Sequence, residues 1–180
     1  IYTQAEVNPN GTATGCNITK IAFKQSDNTI ITTRNVVVYM QNTTKESYTS
    51  ASDWVNVTDE DKVFEGPISL LGGDKYVEIT LDTPFEYTGD NLLVSVSDKT
   101  GGYENSNAYF YAYSVADRSL NSGKDGSAYT PGSMNGNSGS KDGYNNSIEI
   151  TFVAPVPSTP EPEPETAPNV PTNLVAEAQS

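Results

Sequence analysis

Histidine is missing from this chain of 180 residues, and cysteine and tryptophan each occur once. Without histidine, the chain lacks the usual general base of serine and cysteine hydrolases, the commonest zinc ligand and the commonest proton shuttle. The single cysteine, Cys16, has no partner for a disulfide within the chain. It stands where a strand is predicted to begin, which favours a buried thiol over a nucleophile. The missing residues therefore argue against most hydrolase, zinc and disulfide chemistry.

Basic residues are also scarce, because 10 Lys and Arg stand against 23 Asp and Glu, giving a net charge of −13. Such a charge is repelled by nucleic acid and by anionic membranes. No apolar run is long enough for a transmembrane helix, so we expect no membrane insertion. Calcium and neutral glycans fit this acidic balance. Few residues are charged and Asn, Ser, Thr, Gly and Tyr are plentiful, which is typical of an extracellular or cell-surface protein.

Short segments with apolar residues at every second position recur along the chain, and no window indicates an amphipathic helix. The strongest lie at residues 18–24, 34–40, 54–57, 62–66, 76–81, 92–97, 108–113 and 148–152. Apolar residues occupy both faces of segment 34–40, which indicates the central strand of a sandwich. Residues 82–85 are predicted to bend the chain, and the Gly- and Ser-rich stretch 121–147 is predicted to form a loop. The fold class predicted is all-β, a two-sheet antiparallel β-sandwich of jelly-roll type.

The end of the chain differs sharply in composition from the rest. Residues 157–168 read PSTPEPEPETAP, and alternating Pro and Glu cannot build a packed core, so an extended linker is expected. Residues 169–178, NVPTNLVAEA, look like the opening strand of a fibronectin type III domain. We therefore predict a β-sandwich module over 1–156, a linker over 157–168 and the start of a fibronectin type III domain over 169–180.

Several segments resemble a β-sandwich module of secreted and cell-surface proteins of Bacteroidetes, which is often found before fibronectin type III domains. The matching segments are IYT at 1–3, ITKIAF at 18–23, TRNVVVY at 33–39, SDWV at 52–55, KVFEG at 62–66, TLDTPFEYTG at 80–89, NLLV at 91–94 and DKTGGY at 98–103. Such modules are similar to jelly-roll adhesin domains and to carbohydrate-binding modules. The resemblance implies an accessory binding or adhesive role and supplies no set of binding residues.

Tyrosine alternates with small or aromatic residues near the predicted seventh strand. Tyr109, Tyr111 and Tyr113 are expected on one face, opposite Ala108, Phe110 and Ala112. A row of phenol rings can stack on the C–H faces of sugars while its hydroxyls form hydrogen bonds. Rings that merely cover or fill the sandwich would show the same alternation, so both interpretations stay open. The same holds for Trp54, which is either a ligand platform at a loop rim or a buried anchor of the sheet.

Metal binding and catalysis have weaker signals. A structural calcium ion would need several oxygen ligands close together, and the candidates are Asp59, Glu60 and Asp61, the 98–104 loop, and the region of Asp125 and Asp142. None has EF-hand spacing, so the metal ligands stay undecided and no cofactor is required. Paired carboxylates are the only catalytic machinery that the composition permits, and Glu78, Glu86, Glu104 and Glu149 form no recognisable pair. We predict no enzymatic activity.

The function predicted is that of a non-catalytic accessory module in a multi-domain bacterial surface or secreted protein. Its partner would be a glycan or another cell-surface ligand, bound through Tyr109, Tyr111, Tyr113 and Trp54. Two alternatives stay open, a structural spacer domain and a protein-binding adhesin domain. Exposure of the four rings in the folded chain bears on the choice between binding and spacing.

Overall fold

The computed structural model describes residues 1–26, 32–101, 109–123, 129, 134 and 138–155. Its elements are, in chain order, α1 (Gln4–Val7), β1 (Asn17–Lys24), β2 (Thr32–Thr43), a 3-10 turn (Asp59–Asp61), β3 (Lys62–Leu70), β4 (Tyr76–Glu86), β5 (Asn91–Asp98), β6 (Ala112–Asn121), β7 (Ser140–Asn146) and β8 (Ile148–Val153). All strand pairs are antiparallel. The prediction of an all-β chain is confirmed.

Two three-stranded sheets form the sandwich, in the orders β4-β1-β8 and β3-β2-β5. Their facing side chains make the main core, because every second residue of each strand points inward. Ile21, Ile79 and Val38 show the pattern, since each is almost fully buried in this one cluster. The two-sheet antiparallel sandwich is therefore as predicted, and the jelly-roll connectivity stays a prediction.

Both faces of β2 are covered, as the sequence predicts for segment 34–40. Val36, Val38 and Met40 belong to the main core. Val37 and Tyr39 belong to a second apolar cluster on the other side of the same sheet, together with Tyr48, Val57 and Leu93 among others. The prediction that this segment is a central strand is confirmed, because β2 pairs with β3 on one side and β5 on the other.

A hairpin of β6 and β7 and the segment before β3 make this outer layer. The Tyr48 amide donates to Asp117 O at 2.6 Å, and the Gly139 amide donates to Ala51 O at 2.8 Å. Leu120 of β6 packs against the second cluster. These contacts fix the segment between β2 and β3 against the hairpin, and together they cover the outer face of the β3-β2-β5 sheet.

Five local predictions are wrong. Residues 54–57 form no strand, residues 82–85 continue β4 without a bend, and the stretch 121–147 contains β7. Tyr109 to Tyr111 lie before β6 and form only an isolated bridge, Phe110 with Gln25. Cys16 is half-buried, not buried, and its Sγ lies 3.7 Å from Thr12 O. The predicted linker and fibronectin type III start lie outside the described residues.

Candidate functional site

Tyr109 and Tyr111 lie beside the end of β1, in line with β8. The Tyr111 amide donates to Lys24 O at 2.9 Å, and the Ser26 amide donates to Tyr109 O at 3.0 Å. Between them, Phe110 packs against the main core and meets Phe23 edge to face. Since neighbouring residues on an extended segment point to opposite faces, the two tyrosines lie on the outer face of the β4-β1-β8 sheet. Their exposed fractions are 52% for Tyr109 and 43% for Tyr111.

Contacts with Asp74 and Lys24 help to hold the Tyr111 ring. Its hydroxyl donates to Asp74 Oδ1 at 2.6 Å, and the Lys24 ammonium lies 4.8 Å from its ring centroid. Asp74 stands in the turn between β3 and β4 with a φ of 56°, a left-handed conformation that aspartate tolerates better than most residues. The cation–π contact and the hydrogen bond fix the ring while leaving much of its surface open to solvent.

Tyr76 joins the same face, and our sequence prediction missed it. It is the register partner of Lys24 in the β1–β4 pair, so both side chains lie on the outer face. Its exposed fraction is 39%, and a hydrogen bond with Glu149 raises the pKa of its hydroxyl. The signal was present in the sequence, because Val77, Ile79 and Leu81 point inward and leave Tyr76 on the opposite face. We call Tyr76, Tyr109 and Tyr111, with Lys24 between them, the tyrosine face.

Strand geometry sets the spacing of this face. Tyr76 of β4 and Tyr111 beside β1 flank Lys24 on its two sides, two strand spacings or about 10 Å apart. Asp74 and Glu149 border the rings, and each is hydrogen bonded with a phenol. Stacking surfaces, a cationic donor and carboxylate acceptors therefore lie together on one side of the sheet.

Tyr113 does not belong to this face, although the sequence predicts it in the same row. β6 begins at Ala112, and the chain leaves the β1 edge there. The Tyr113 hydroxyl donates to Glu6 Oε1 at 2.9 Å and accepts from Asn145 Nδ2 at 3.3 Å. The ring is half-buried and lines a cavity of about 560 Å³ with inner-face residues of β8. The single row of three tyrosines is thus divided between two places.

Trp54 lies far from the tyrosine face, in the segment that covers the other sheet. It is half-buried, and its indole packs on the backbone of Gly139, where an added Cβ would lie 2.6 Å from Trp54 Cζ2. Asp53 anchors the same segment. Its carboxylate accepts from Lys45 Nζ at 2.7 Å and from the Thr49 amide at 2.8 Å, and these bonds lower its pKa from 3.8 to about 2. The structure thus places Trp54 in a packing contact.

Asp59 to Asp61, which are among the candidate calcium ligands, form a capped 3-10 turn. Asp61 Oδ2 accepts hydrogen bonds from the Thr58 amide at 2.7 Å and from Gln41 Nε2 at 2.8 Å. Across the described ranges, no three His, Cys, Asp or Glu side chains are grouped as a metal would require. Within the same ranges, no helix has the length and apolar character needed to cross a membrane.

Comparison of the chain with protein families, with curated proteins and with solved structures found no match. The structure defines the chain as an all-β sandwich with an exposed tyrosine face.

Proposed function

We propose that this chain is a non-catalytic extracellular module that binds carbohydrate through the tyrosine face. The observation that carries the proposal is the group of three partly exposed phenol rings around Lys24 on one flat sheet surface. Exposing aromatic rings to water is less favourable than burying them, so their grouping on an outer face favours a ligand with apolar surface of its own. Sugar rings supply such a surface on their C–H faces.

The polar groups around the rings suit hydroxyl-rich ligands. Asp74 and Glu149 each have acceptor positions beyond the phenol that they bind, and the Lys24 ammonium has three donors. A sugar hydroxyl both donates and accepts, so it complements this mixture. The two carboxylates and the net charge of −13 disfavour anionic sugars. We therefore expect neutral polysaccharides to bind better than uronate-containing or sulfated ones.

The remaining parts of the proposal follow from sequence arguments. We propose that the module serves a bacterial surface or secreted protein and is followed by a fibronectin type III domain. No cofactor is needed for binding of this kind, and a structural calcium ion stays a prediction. The absence of histidine and the engagement of Asp74 and Glu149 by phenols support a non-catalytic role.

A glycan array followed by calorimetry on the full chain, with and without calcium, tests this proposal. Tyr111→Ala and Tyr76→Ala should each weaken binding by about tenfold or more, since loss of one aromatic contact is worth about 1.5 kcal/mol. Tyr144→Ala is the matched control, because Tyr144 is 63% exposed and lies on the β6–β7 hairpin. Its binding should equal that of the wild type.

Two results would contradict the proposal. One is a folded chain that binds no plant, host or microbial glycan, which would favour the spacer or the protein-binding alternative. The other is specific binding that Tyr144→Ala abolishes and Tyr111→Ala leaves intact, which would place the site elsewhere.

A further inference from the structure

Among the described residues, β5 and β8 are edge strands of the two sheets, and these two edges differ in what lies beside them. The edge of β5 is continued by the chain start, since Tyr2 and Leu92 exchange two backbone hydrogen bonds of 2.8 Å each. In the part of the chain that the structure describes, β8 pairs with β1 alone. The β3-β2-β5 sheet therefore has a further backbone segment beside β5. Among the described residues, no strand pairs with β8 at the matching position of the β4-β1-β8 sheet.

A cavity of about 560 Å³ adjoins this position. Its walls are the inner face of β8 on one side and the α1 region on the other. Ile148, Ile150 and Phe152 alternate along β8, are half-buried and line the cavity together with Val7 and Pro9. The cavity is open to solvent and its walls are mainly apolar, so apolar side chains from another segment would lose contact with water there.

The polar side chains at the cavity already form hydrogen bonds or ion pairs within the chain. Glu6 accepts from the Thr3 amide at 2.7 Å and from the Tyr113 hydroxyl at 2.9 Å, and it forms an ion pair with Arg118. The Tyr2 hydroxyl donates to Asn146 O at 2.9 Å. Since these groups already have partners, the cavity is suited to an occupant that brings apolar side chains.

The sequence and the backbone of β8 indicate that the occupant is an extended peptide. Its sequence, Ile-Glu-Ile-Thr-Phe-Val, has high strand propensity and contains neither Pro nor Lys, the residues that commonly protect an edge from pairing. The outward backbone amides and carbonyls of such a strand complement an extended peptide backbone. Alternate side chains of an added strand would enter the cavity, as they do when peptides add to a sheet edge.

We propose that β8 receives an extended peptide segment of a partner protein as an added strand. Apolar side chains at every second position of the segment fill the cavity between β8 and α1. Charge complementarity favours Lys or Arg at an intervening position, because Glu149 projects from the outer face of β8 and the chain carries a net charge of −13. This inference uses the edge and inner face of β8, so it does not rest on carbohydrate binding by the tyrosine face.

A designed peptide tests the inference with the full chain. The probe is an acetylated, amidated, fluorescently labelled heptapeptide, Thr-Val-Lys-Val-Thr-Val-Lys, and its control has the same residues with the three valines adjacent. Fluorescence anisotropy should show binding of the alternating peptide at least about tenfold tighter than the control. Hydrogen exchange followed by NMR should show protection of the outward amides within 148–153 on binding.

Two variants separate edge pairing from non-specific adhesion. Pro9→Trp places a large ring at the cavity from an exposed position and should weaken binding about tenfold, while Pro9→Ala, the matched control, should stay within about twofold. Glu149→Lys should weaken binding of the Lys peptide about fivefold and favour the same peptide with Glu in place of Lys. Unchanged melting temperatures would show that each variant is folded.

Several outcomes would overturn the inference. No binding up to about 1 mM peptide, or binding that Pro9→Trp leaves intact, would show that the cavity does not receive a strand. If the outward amides within 148–153 are already protected in the free monomer, another part of the chain occupies the edge. If that protection appears together with a dimer, the occupant is a second copy.

Discussion

Tyr111 and Tyr113 stand two residues apart, yet they lie in different surroundings. Tyr111, with Tyr109 and Tyr76, occupies the tyrosine face and keeps 43% of its surface exposed. Tyr113 bonds to Glu6 and Asn145 beside the cavity, and Trp54 packs on Gly139 in the outer layer. The aromatic residues predicted as one site therefore divide into two pairs. Tyr113 and Trp54 pack against other parts of the chain, whereas Tyr109 and Tyr111 are each at least two-fifths exposed. Stability measurements should therefore separate the two pairs before any ligand is known.

The largest effect is expected for Trp54→Ala. The half-buried indole holds the segment before β3 against the hairpin, and its removal leaves a gap beside Gly139. We expect a loss of about 2–4 kcal/mol in the free energy of unfolding, measured by denaturant titration. Glycan binding per folded molecule should be unchanged. A loss below about 0.5 kcal/mol would mean that Trp54 is not an anchor.

Gly139→Ala should follow, because the added methyl group has no room. It would lie 2.6 Å from Trp54 Cζ2 and 2.5 Å from the backbone oxygen of Asn121. We expect a loss of about 1–3 kcal/mol in the free energy of unfolding. Gly143→Ala is the matched control, since a Cβ added at Gly143 would have no other atom within 4 Å. Equal melting temperatures for the two variants would contradict the described contact.

Tyr113→Phe should have a smaller effect. It removes one hydrogen bond to Glu6 and one from Asn145, while Glu6 keeps Thr3 and Arg118 and Asn145 Nδ2 keeps Ile1 O at 2.9 Å. The expected loss is about 1 kcal/mol in the free energy of unfolding. Carbohydrate binding should not change. A variant with wild-type stability and lost glycan binding would place Tyr113 in the ligand site after all.

Acid should loosen the Trp54 segment through Asp53. Hydrogen bonds from Lys45 and Thr49 lower the pKa of Asp53 from 3.8 to about 2, so the folded state favours the ionised carboxylate. The resulting stability is present above pH 4 and is lost as the pH falls toward 2. Asp53→Asn should therefore flatten the stability profile between pH 4 and 2, as followed by thermal melts. An identical slope in both proteins would exclude this contribution.

The smallest change in stability is expected for Tyr109→Ala and Tyr111→Ala. Both rings are at least two-fifths exposed, so each truncation should alter the free energy of unfolding by less than about 1 kcal/mol. Calorimetric denaturation checks this value, and the same samples serve for glycan binding. A loss of about 3 kcal/mol would mark either ring as part of the core. It would also remove the main support for the tyrosine face.

The strands were predictable wherever one face of the segment is buried. The alternation in β4 reflects burial directly, and the doubly apolar β2 revealed its central position. Residues 54–57 alternate as well, but they cover the outer layer without pairing, because Asp53 and Trp54 fix the segment through side-chain contacts. β7 was missed because its sequence, Ser-Lys-Asp-Gly-Tyr-Asn-Asn, is polar and pairs by backbone hydrogen bonds with β6.

The candidate site was predictable only in part, since Tyr109 and Tyr111 were named and Tyr76, Lys24 and Asp74 were not. By itself the sequence determined the all-β class, the acidic character, the absence of histidine chemistry and the inward face of most strands, because these depend on composition and on local alternation. Only the tertiary structure decided that Tyr76 and Tyr111 flank Lys24, that Tyr113 faces a cavity and that β8 is an edge strand among the described residues. Those relations depend on the register between strands far apart in the chain, and local periodicity carries no information about that register.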